Sequence, residues 1–210
     1  MQKPDSLIFD MDGTLWDAVD TYANSWNLVF EKMDIKRIIG RDDLMQLMGM
    51  EGKKLTKVLM PDYDDDRAQS IYMDVNETRR QILPASGGVM YPGVTEGMKQ
   101  LATKYKLFIL SNCAIGIIPL FISWAGIADD ITDSIAYGEN GMPKHNNMGI
   151  LIDKHQLKSP VYIGDTNGDA EQTHMAGIPF IFVTYGFGKT DNYELKFDSF
   201  DELTKYYMSL

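Results

Sequence analysis

The chain has 210 residues, enough for one sizeable core or for a core with a smaller insert. Its 44% hydrophobic and 24% charged residues are those of an ordinary globular protein, while a net charge of -10 argues against a general nucleic-acid binder, which needs a basic face. The single cysteine, Cys113, excludes a disulfide framework or a CxxC metal site. No apolar run approaches membrane-span length and no charged-then-apolar leader opens the chain, so a cytoplasmic protein without membrane partners is expected.

Leu7, Ile8 and Phe9 form an apolar run without alternation, as in a strand covered on both faces. It stops at Asp10 and Asp12, and Gly13 lets the backbone turn sharply. Open parallel sheets bind ligands at this end of their strands. Two carboxylates so close call for a cation or a shared proton, the plain alternative being an ordinary Asp-Gly turn.

From Asp17 to Met33 the apolar residues Val19, Tyr22, Trp26, Val29, Phe30 and Met33 recur three or four apart and predict a helix. Shorter helices are expected over Arg41–Met48, ended by Gly49, and Glu51–Leu59, stopped near Pro61. Asp64, Asp65 and Asp66 suit the positive end of a longer helix whose inner stripe is Ala68, Ile71, Tyr72, Val75, Arg79 and Ile82. No strand is expected between Asp17 and Ile82. Pro84, Gly87, Gly88, Pro92 and Gly93 then mark a boundary.

Beyond it, helices over Val94–Tyr105, Ile115–Ala125, Asn147–His155 and Asp169–Ala176 alternate with strands over Lys106–Leu110, Ser134–Tyr137, Val161–Ile163 and Pro179–Val183. A helix over Asp201–Met208 ends the series. This alternation predicts an α/β fold with a parallel sheet wrapped on both faces. Segments 1–16 and 89–210 would form the body, and 17–88 an all-helical insert able to move as a lid.

Several strands end in polar residues: Asp10 and Asp12 after the first, Ser111 and Asn112 after the second, Asp165 with Asp169 after another. Lys144 lies in the Gly141–Lys144 turn. Buried unpaired charge costs several kcal/mol per ion, so this convergence is a poor way to build a core. An oxygen-preferring cation such as Mg²⁺ would neutralise the acids, leaving Lys144 and Ser111 to hold phosphate oxygens.

In these residues the chain resembles the haloacid dehalogenase superfamily of phosphatases and phosphotransferases, with all four motifs in order across essentially the whole sequence. The resemblance implies a Rossmann-like, doubly wound parallel sheet with an inserted all-helical cap. Asp10-Met11-Asp12-Gly13-Thr14-Leu15 matches the first motif, implying Asp10 as nucleophile and Asp12 as general acid/base, with Gly13 and Thr14 in the phosphate-binding turn. Ser111-Asn112 matches the phosphate-binding second motif, and Lys144 the third. Gly164-Asp165-Thr166-Asn167-Gly168-Asp169 matches the metal-binding fourth. The implied Mg²⁺ site comprises Asp10, Asp12 through its backbone carbonyl, Asp165 and Asp169. One departure is the order Pro143-Lys144-His145, where the family commonly has Gly-Lys-Pro.

The implied activity is Mg²⁺-dependent hydrolysis of a small phosphorylated metabolite through an aspartyl-phosphate, similar to that of phosphoglycolate phosphatases, by a monomer or homodimer. A phosphomutase resembling β-phosphoglucomutase is the alternative. A phosphonatase with Lys53 or Lys54 as Schiff base and a non-catalytic phosphorylation-dependent signalling module are weaker ones. Asp12 favours phosphoryl chemistry over dehalogenation, which has no leaving alkoxide to protonate. Outside the motifs, His155, His174, Arg79 and Arg80 read as solvated or helix-end residues, His145 as a neighbour of Lys144, and Cys113 as a packing residue. Trp16 and Asp17 stand where the chain enters the insert, Gly49–Lys53 form a loop that faces the site in similar phosphatases, and Tyr185–Gly188 form a loop near the last strand.

Overall fold

In the computed structural model, which describes residues 3–210, Ser6–Phe9 (β1) lies at the centre of a six-stranded parallel sheet. The first two residues of the expected segment 1–16 lie outside the described residues. β1 sits between Lys106–Ser111 (β4) and Pro160–Gly164 (β6), with Phe9 opposite Ile109 on one side and Ile163 on the other. Asp133–Ala136 (β5) extends the sheet beyond β4; Phe180–Val183 (β7) and Leu195–Phe197 (β8) extend it beyond β6. The order β5-β4-β1-β6-β7-β8 brings the ends of β1, β4 and β6 side by side, the crevice where open α/β sheets bind ligands.

β1 is buried on both faces, as its unbroken apolar run predicts. Leu7 and Phe9 pack in the larger core with Val94–Ala102 (α5), Ile117–Ala125 (α6) and Phe200–Ser209 (α10). Ile8 points the other way, into a second core with Lys144–His155 (α8) and Asn167–Met175 (α9). Helices on both faces make the Rossmann-like, doubly wound sandwich that the strand–helix alternation predicts.

Between β1 and α5 the chain forms four helices: Val19–Lys32 (α1), Arg41–Met45 (α2), Gly52–Leu59 (α3) and Asp65–Ser86 (α4). Trp26, Phe30, Ile71 and Val75 bury the apolar stripes of α1 and α4 against each other, and Trp26 stacks on Tyr72 with ring centroids 6.0 Å apart. The chain enters and leaves this helical cap through an antiparallel pair, Trp16–Asp17 (β2) and Val89–Met90 (β3). Among the described residues no helix is long and apolar enough to cross a membrane.

Four local expectations are corrected. Asp17 belongs to β2 rather than to a helix, and β2, β3 and the three-residue β8 are too short to show a clear period. α4 runs through Pro84 to Ser86; the proline is exposed in the last turn, where water can take the one carbonyl that its missing N–H leaves free. Lys144 is the first residue of α8 rather than part of a turn, because Pro143 takes the extended cap conformation ahead of it. A short helix, Tyr137–Asn140 (α7), follows β5 directly.

Leu7 is fully buried in the middle strand. Leu7→Ala should therefore cost about 2–5 kcal/mol, read as a lower urea midpoint at unchanged m-value.

Candidate active site

Each strand end delivers one reactive group. The Asp10 N–H donates to the Ile163 carbonyl (2.8 Å), extending the β1–β6 ladder and fixing the aspartate at the sheet edge. Asp165 follows β6, and Ser111 closes β4. Asp169 sits in the first turn of α9, where its Oδ2 accepts from the Thr166 N–H (3.1 Å) and hydroxyl (2.6 Å) in a capping box. Oδ1 of the same residue remains for Lys144. The Lys144 ammonium donates to Asp169 Oδ1 at 2.6 Å and lies 3.0 Å from Asp10 Oδ2.

Asp10, Asp165 and Asp169 are all buried, and one oxygen of each lies within 4.8 Å of the others. Burial pushes the Asp10 carboxyl up to about 7, Asp169 adds to the rise, and Lys144 opposes it. Burial, then the charges of Asp169 and Asp10, holds Asp165 well above the usual carboxylate range. Burial pulls the Lys144 ammonium down, but attraction to Asp10 and Asp169 prevails and leaves it well above its ordinary value. One ammonium against three acids leaves an excess of negative charge. An all-oxygen set of this size and sign fits a hard divalent cation.

The turn after β1 is tight. Gly13 adopts φ +86°, and an added Cβ would meet Asp165 Oδ2 at 2.3 Å, so glycine is required for both conformation and space. Asp165 Oδ2 accepts from the Phe187 backbone N–H at 2.7 Å. Thr14 donates its hydroxyl to Asp165 Oδ1 (3.3 Å), and its carbonyl accepts from the Tyr185 hydroxyl (3.0 Å). The Tyr185–Gly188 loop thus forms a wall of the acidic site.

The Asp12 side chain stands apart from the three-carboxylate group and turns toward the cap. Its Oδ1 accepts from Trp16 Nε1 and from the Tyr22 hydroxyl, each at 3.0 Å. Burial raises its carboxyl to about 6, against the lowering effects of the Tyr22 hydrogen bond, the Arg79 charge and the Trp16 hydrogen bond. Ser111 is buried and its Oγ accepts from the Cys113 N–H (3.3 Å). Asn112 donates from Nδ2 to the Gly49 carbonyl at 2.7 Å, tying the sheet edge to the cap loop.

Asp10, Asp12, Ser111 and Asn112 form the floor of a cavity of about 40 Å³ roofed by cap residues that include Leu44, Leu47, Met48, Leu55 and Arg79. Sequence patterning misses two of the residues that matter here. Arg79, read as solvated, is buried with its guanidinium carbon 4.2 Å from the centroid of the Tyr22 ring; its place on the apolar stripe of α4 was the available signal. Tyr22, read as core, uses its hydroxyl on Asp12. Trp16 both packs in the core and bonds Asp12. Arg80 pairs with Glu77 (2.6 Å), and Asp17 pairs with Arg41.

His145, His155 and His174 are engaged by Gln172, Asp133 and Glu194 respectively, and none bonds Asp10, Asp165 or Asp169. Burial pushes the Cys113 thiol up, which suits packing rather than nucleophilic chemistry. Lys53 and Lys54 are exposed and do not line the cavity.

A doubly wound sheet thus gathers three carboxylates, a lysine and a serine at its strand ends under a helical cap, a Rossmann-like fold with its acidic site at the crevice of the sheet. The chain belongs to the haloacid dehalogenase-like hydrolase family, whose model matches residues 7–183. It is similar to a phosphoglycolate phosphatase of Rhodobacter capsulatus, 27% identical over 194 residues that cover 88% of this chain and 86% of the relative. A haloacid dehalogenase-like hydrolase of Streptococcus pneumoniae has the same fold, with TM-score 0.85 and 17% identity over 99% of this chain and 100% of the other. A predicted phosphoglycolate phosphatase of Haemophilus somnus superposes with TM-score 0.84 at 19% identity, over 98% and 99% of the two chains. The family is one of hydrolases.

Replacing Lys144 with Met leaves Asp10 and Asp169 buried without their cation and should cost about 3–5 kcal/mol. Lys144 lowers the Asp10 carboxyl, so its loss raises that group further. A carboxyl with a folded pKa above its unfolded value of about 3.9 retains a proton in the folded state, and stability falls as pH rises through the gap. In EDTA, the stability deficit of Lys144→Met relative to wild type should therefore be flat below about pH 7 and widen as pH rises above it, where Asp10 ionises in the wild type but stays protonated in the variant, measured by urea unfolding at each pH.

Proposed function

We propose that the chain is a Mg²⁺-dependent phosphatase of a small phosphorylated metabolite, acting through an aspartyl-phosphate on Asp10. The observation that carries this reading is the pairing of a buried Asp10 with Lys144 beside two further acids, at the floor of a cavity that also receives Ser111 and Asp12. Asp10, Asp165, Asp169 and the Asp12 backbone carbonyl would hold the ion. When bound, Mg²⁺ supplies charge neutralisation of the acids against a phosphate dianion and stabilises charge on the phosphoryl oxygens.

Lys144 fixes Asp10 Oδ2, which leaves Oδ1 to attack phosphorus in line. Ser111 and Asn112, with Lys144 and the Gly13–Thr14 turn, orient the phosphoryl group. Asp12 has one oxygen held by Trp16 and Tyr22, so Oδ2 carries the proton to the leaving oxygen and then removes one from water. A carboxyl raised to about 6 suits both duties near neutral pH. The relatives named as phosphoglycolate phosphatases point the same way.

Asp10→Asn should lower kcat by at least about 10³-fold, comparable to removing the nucleophile in other covalent mechanisms, measured as phosphate release from p-nitrophenyl phosphate with Mg²⁺. Normal turnover in that variant would overturn the mechanism. Mg²⁺ at about 100 times its dissociation constant should stabilise the wild type by about 2.7 kcal/mol, or about 5–10 °C in Tm. Asp165→Asn should lose that shift; an unchanged shift would place the ion elsewhere.

A further inference from the structure

A second cleft opens beside the cavity over Asp10. It holds about 700 Å³ against about 40 Å³ for that cavity, and Tyr72, Asn112 and Cys113 line both, so the two meet at those residues. The cleft lies between α3 and α4 of the cap and residues 112–115 and 137–138 of the body. Gly52 gives the Tyr72 ring its room at the junction, since an added Cβ would lie 2.5 Å from a ring carbon. Small-molecule sites commonly occupy about 300–1,000 Å³. The reaction at Asp10 uses none of this space.

Two carboxamides on the cleft are left unanswered. Asn76, on α4, is 8% exposed, and its Oδ1 is buried without a hydrogen-bond partner. Asn112 repeats the pattern from the body: its Nδ2 is taken by the Gly49 carbonyl at 2.7 Å, and its Oδ1 has no partner. A buried polar atom without a partner costs free energy, and native structures hold few of them. The last torsion of an asparagine is soft, so Asn76 can turn its oxygen to the cleft without giving up a hydrogen bond there. What both oxygens need is a donor.

That requirement selects among leaving groups. A carboxylate or a second phosphate dianion brings acceptors alone and leaves a carboxamide oxygen unpaired. The charges on the cleft also balance, Lys53 and Arg80 against Asp74 and Glu77. Arg80 is already held by Glu77 (2.6 Å) and by the Ile115 carbonyl (3.3 Å). A further anion therefore finds no unopposed cation. Hydroxyls both donate and accept, which matches Asn76, Asn112 and Gln69, while Tyr72 and Tyr137 add flat apolar faces with polar tips.

We propose that this cleft receives the leaving group of the substrate, that the leaving group is neutral and bears several hydroxyls, as a monosaccharide does, and that Asn76 is a specificity residue for it. This deepens the phosphatase reading above and rests on it. With the phosphoryl group at Asp10 and Ser111, the ester passes the junction at Tyr72 and Asn112 and places its hydroxyls against the two carboxamides. A site built to bond hydroxyls rejects the analogue that lacks them, because the buried partners then stay unpaired.

The test takes the wild-type enzyme with Mg²⁺ and compares the fastest of glucose, mannose and fructose 6-phosphates with cyclohexylmethyl phosphate, a ring of similar outline without hydroxyls. The sugar ester should lead in kcat/KM by at least about 100-fold, and should also exceed 2-phosphoglycolate. Asn76→Leu should raise KM for the sugar ester about tenfold, with kcat little changed and p-nitrophenyl phosphate turned over as before. The same variant should be no less stable than wild type in urea, because an unpartnered carboxamide does not support the free protein. An asparagine that merely held the fold would show the reverse.

Equal turnover of the sugar and cyclohexylmethyl esters, or a preference for 2-phosphoglycolate, would overturn the choice of leaving group while leaving the phosphatase reading intact. A loss of stability in Asn76→Leu, or equal losses on the sugar ester and p-nitrophenyl phosphate, would overturn the role given to Asn76. The wild-type comparison needs no variant and decides the leaving group even where Asn76→Leu does not fold. Failure to hydrolyse every one of these esters, p-nitrophenyl phosphate included, would instead strike at the phosphatase reading itself.

Discussion

The Lys144 ion pairs are the constraint on which the rest of the site depends. Three carboxylates are buried within 4.8 Å of one another, and one ammonium answers two of them. Left unpaired, such groups would protonate or drive the strand ends apart. The fold supplies the pairing through two helix starts. Pro143 sets Lys144 as the first residue of α8, and Thr166 caps α9 so that Asp169 presents one oxygen to the helix start and the other to the lysine. Because β1 lies between β4 and β6, the groups that these helices steady meet Asp10 and Ser111 at one edge. The remaining negative charge is a reason for a cation rather than a defect.

The cap is joined to this edge by polar contacts as well as by its hinge. Asn112 reaches the Gly49 carbonyl, while Trp16 and Tyr22 both hold Asp12. Two aspartates separated by one residue therefore have different environments. Asp10 belongs to the charge network of the sheet, and Asp12 to the hydrogen bonds of the hinge and cap. Burial raises both, yet the opposing influences differ: an ammonium for Asp10, chiefly a tyrosine hydroxyl and a guanidinium for Asp12. Separation of this kind is what lets neighbouring carboxyls take different roles in the proposed mechanism.

The sheet, its two helical faces and the helical cap were legible because burial imposes strong patterns: an unbroken apolar run for Leu7–Phe9, a repeat of three and four for α1 and α4. The acids, Ser111 and Lys144 were legible because they fall at the ends of such runs. What stayed hidden was set by tertiary context. β2 and β3 have two residues each, too few for a period, and Pro84 is tolerated only because its turn is exposed. Arg79 was visible as a position on the apolar stripe but not as a buried charge, since sequence does not reveal that the face of α4 closes over Tyr22. An arginine on an otherwise apolar stripe is the pattern worth following.

The distribution of polar groups also separates reaction from selection. Asp10, Ser111, Lys144, Asp165 and Asp169 all come from the sheet edge and the helices behind it, where every change disturbs a charge balance shared by several elements. The roof comes from all four cap helices and the Gly49 loop, and sets Leu44, Leu47, Met48 and Leu55 beside Tyr22, Tyr72 and Arg79. Leu44, Leu47, Met48 and Leu55 form no hydrogen bond to the acids below. Tyr22 is the exception, because it touches both Asp12 and Arg79. Through that one side chain the cap reaches the group proposed to protonate the leaving oxygen, so the position of that proton donor depends on how α1 and α4 pack together over the sheet edge.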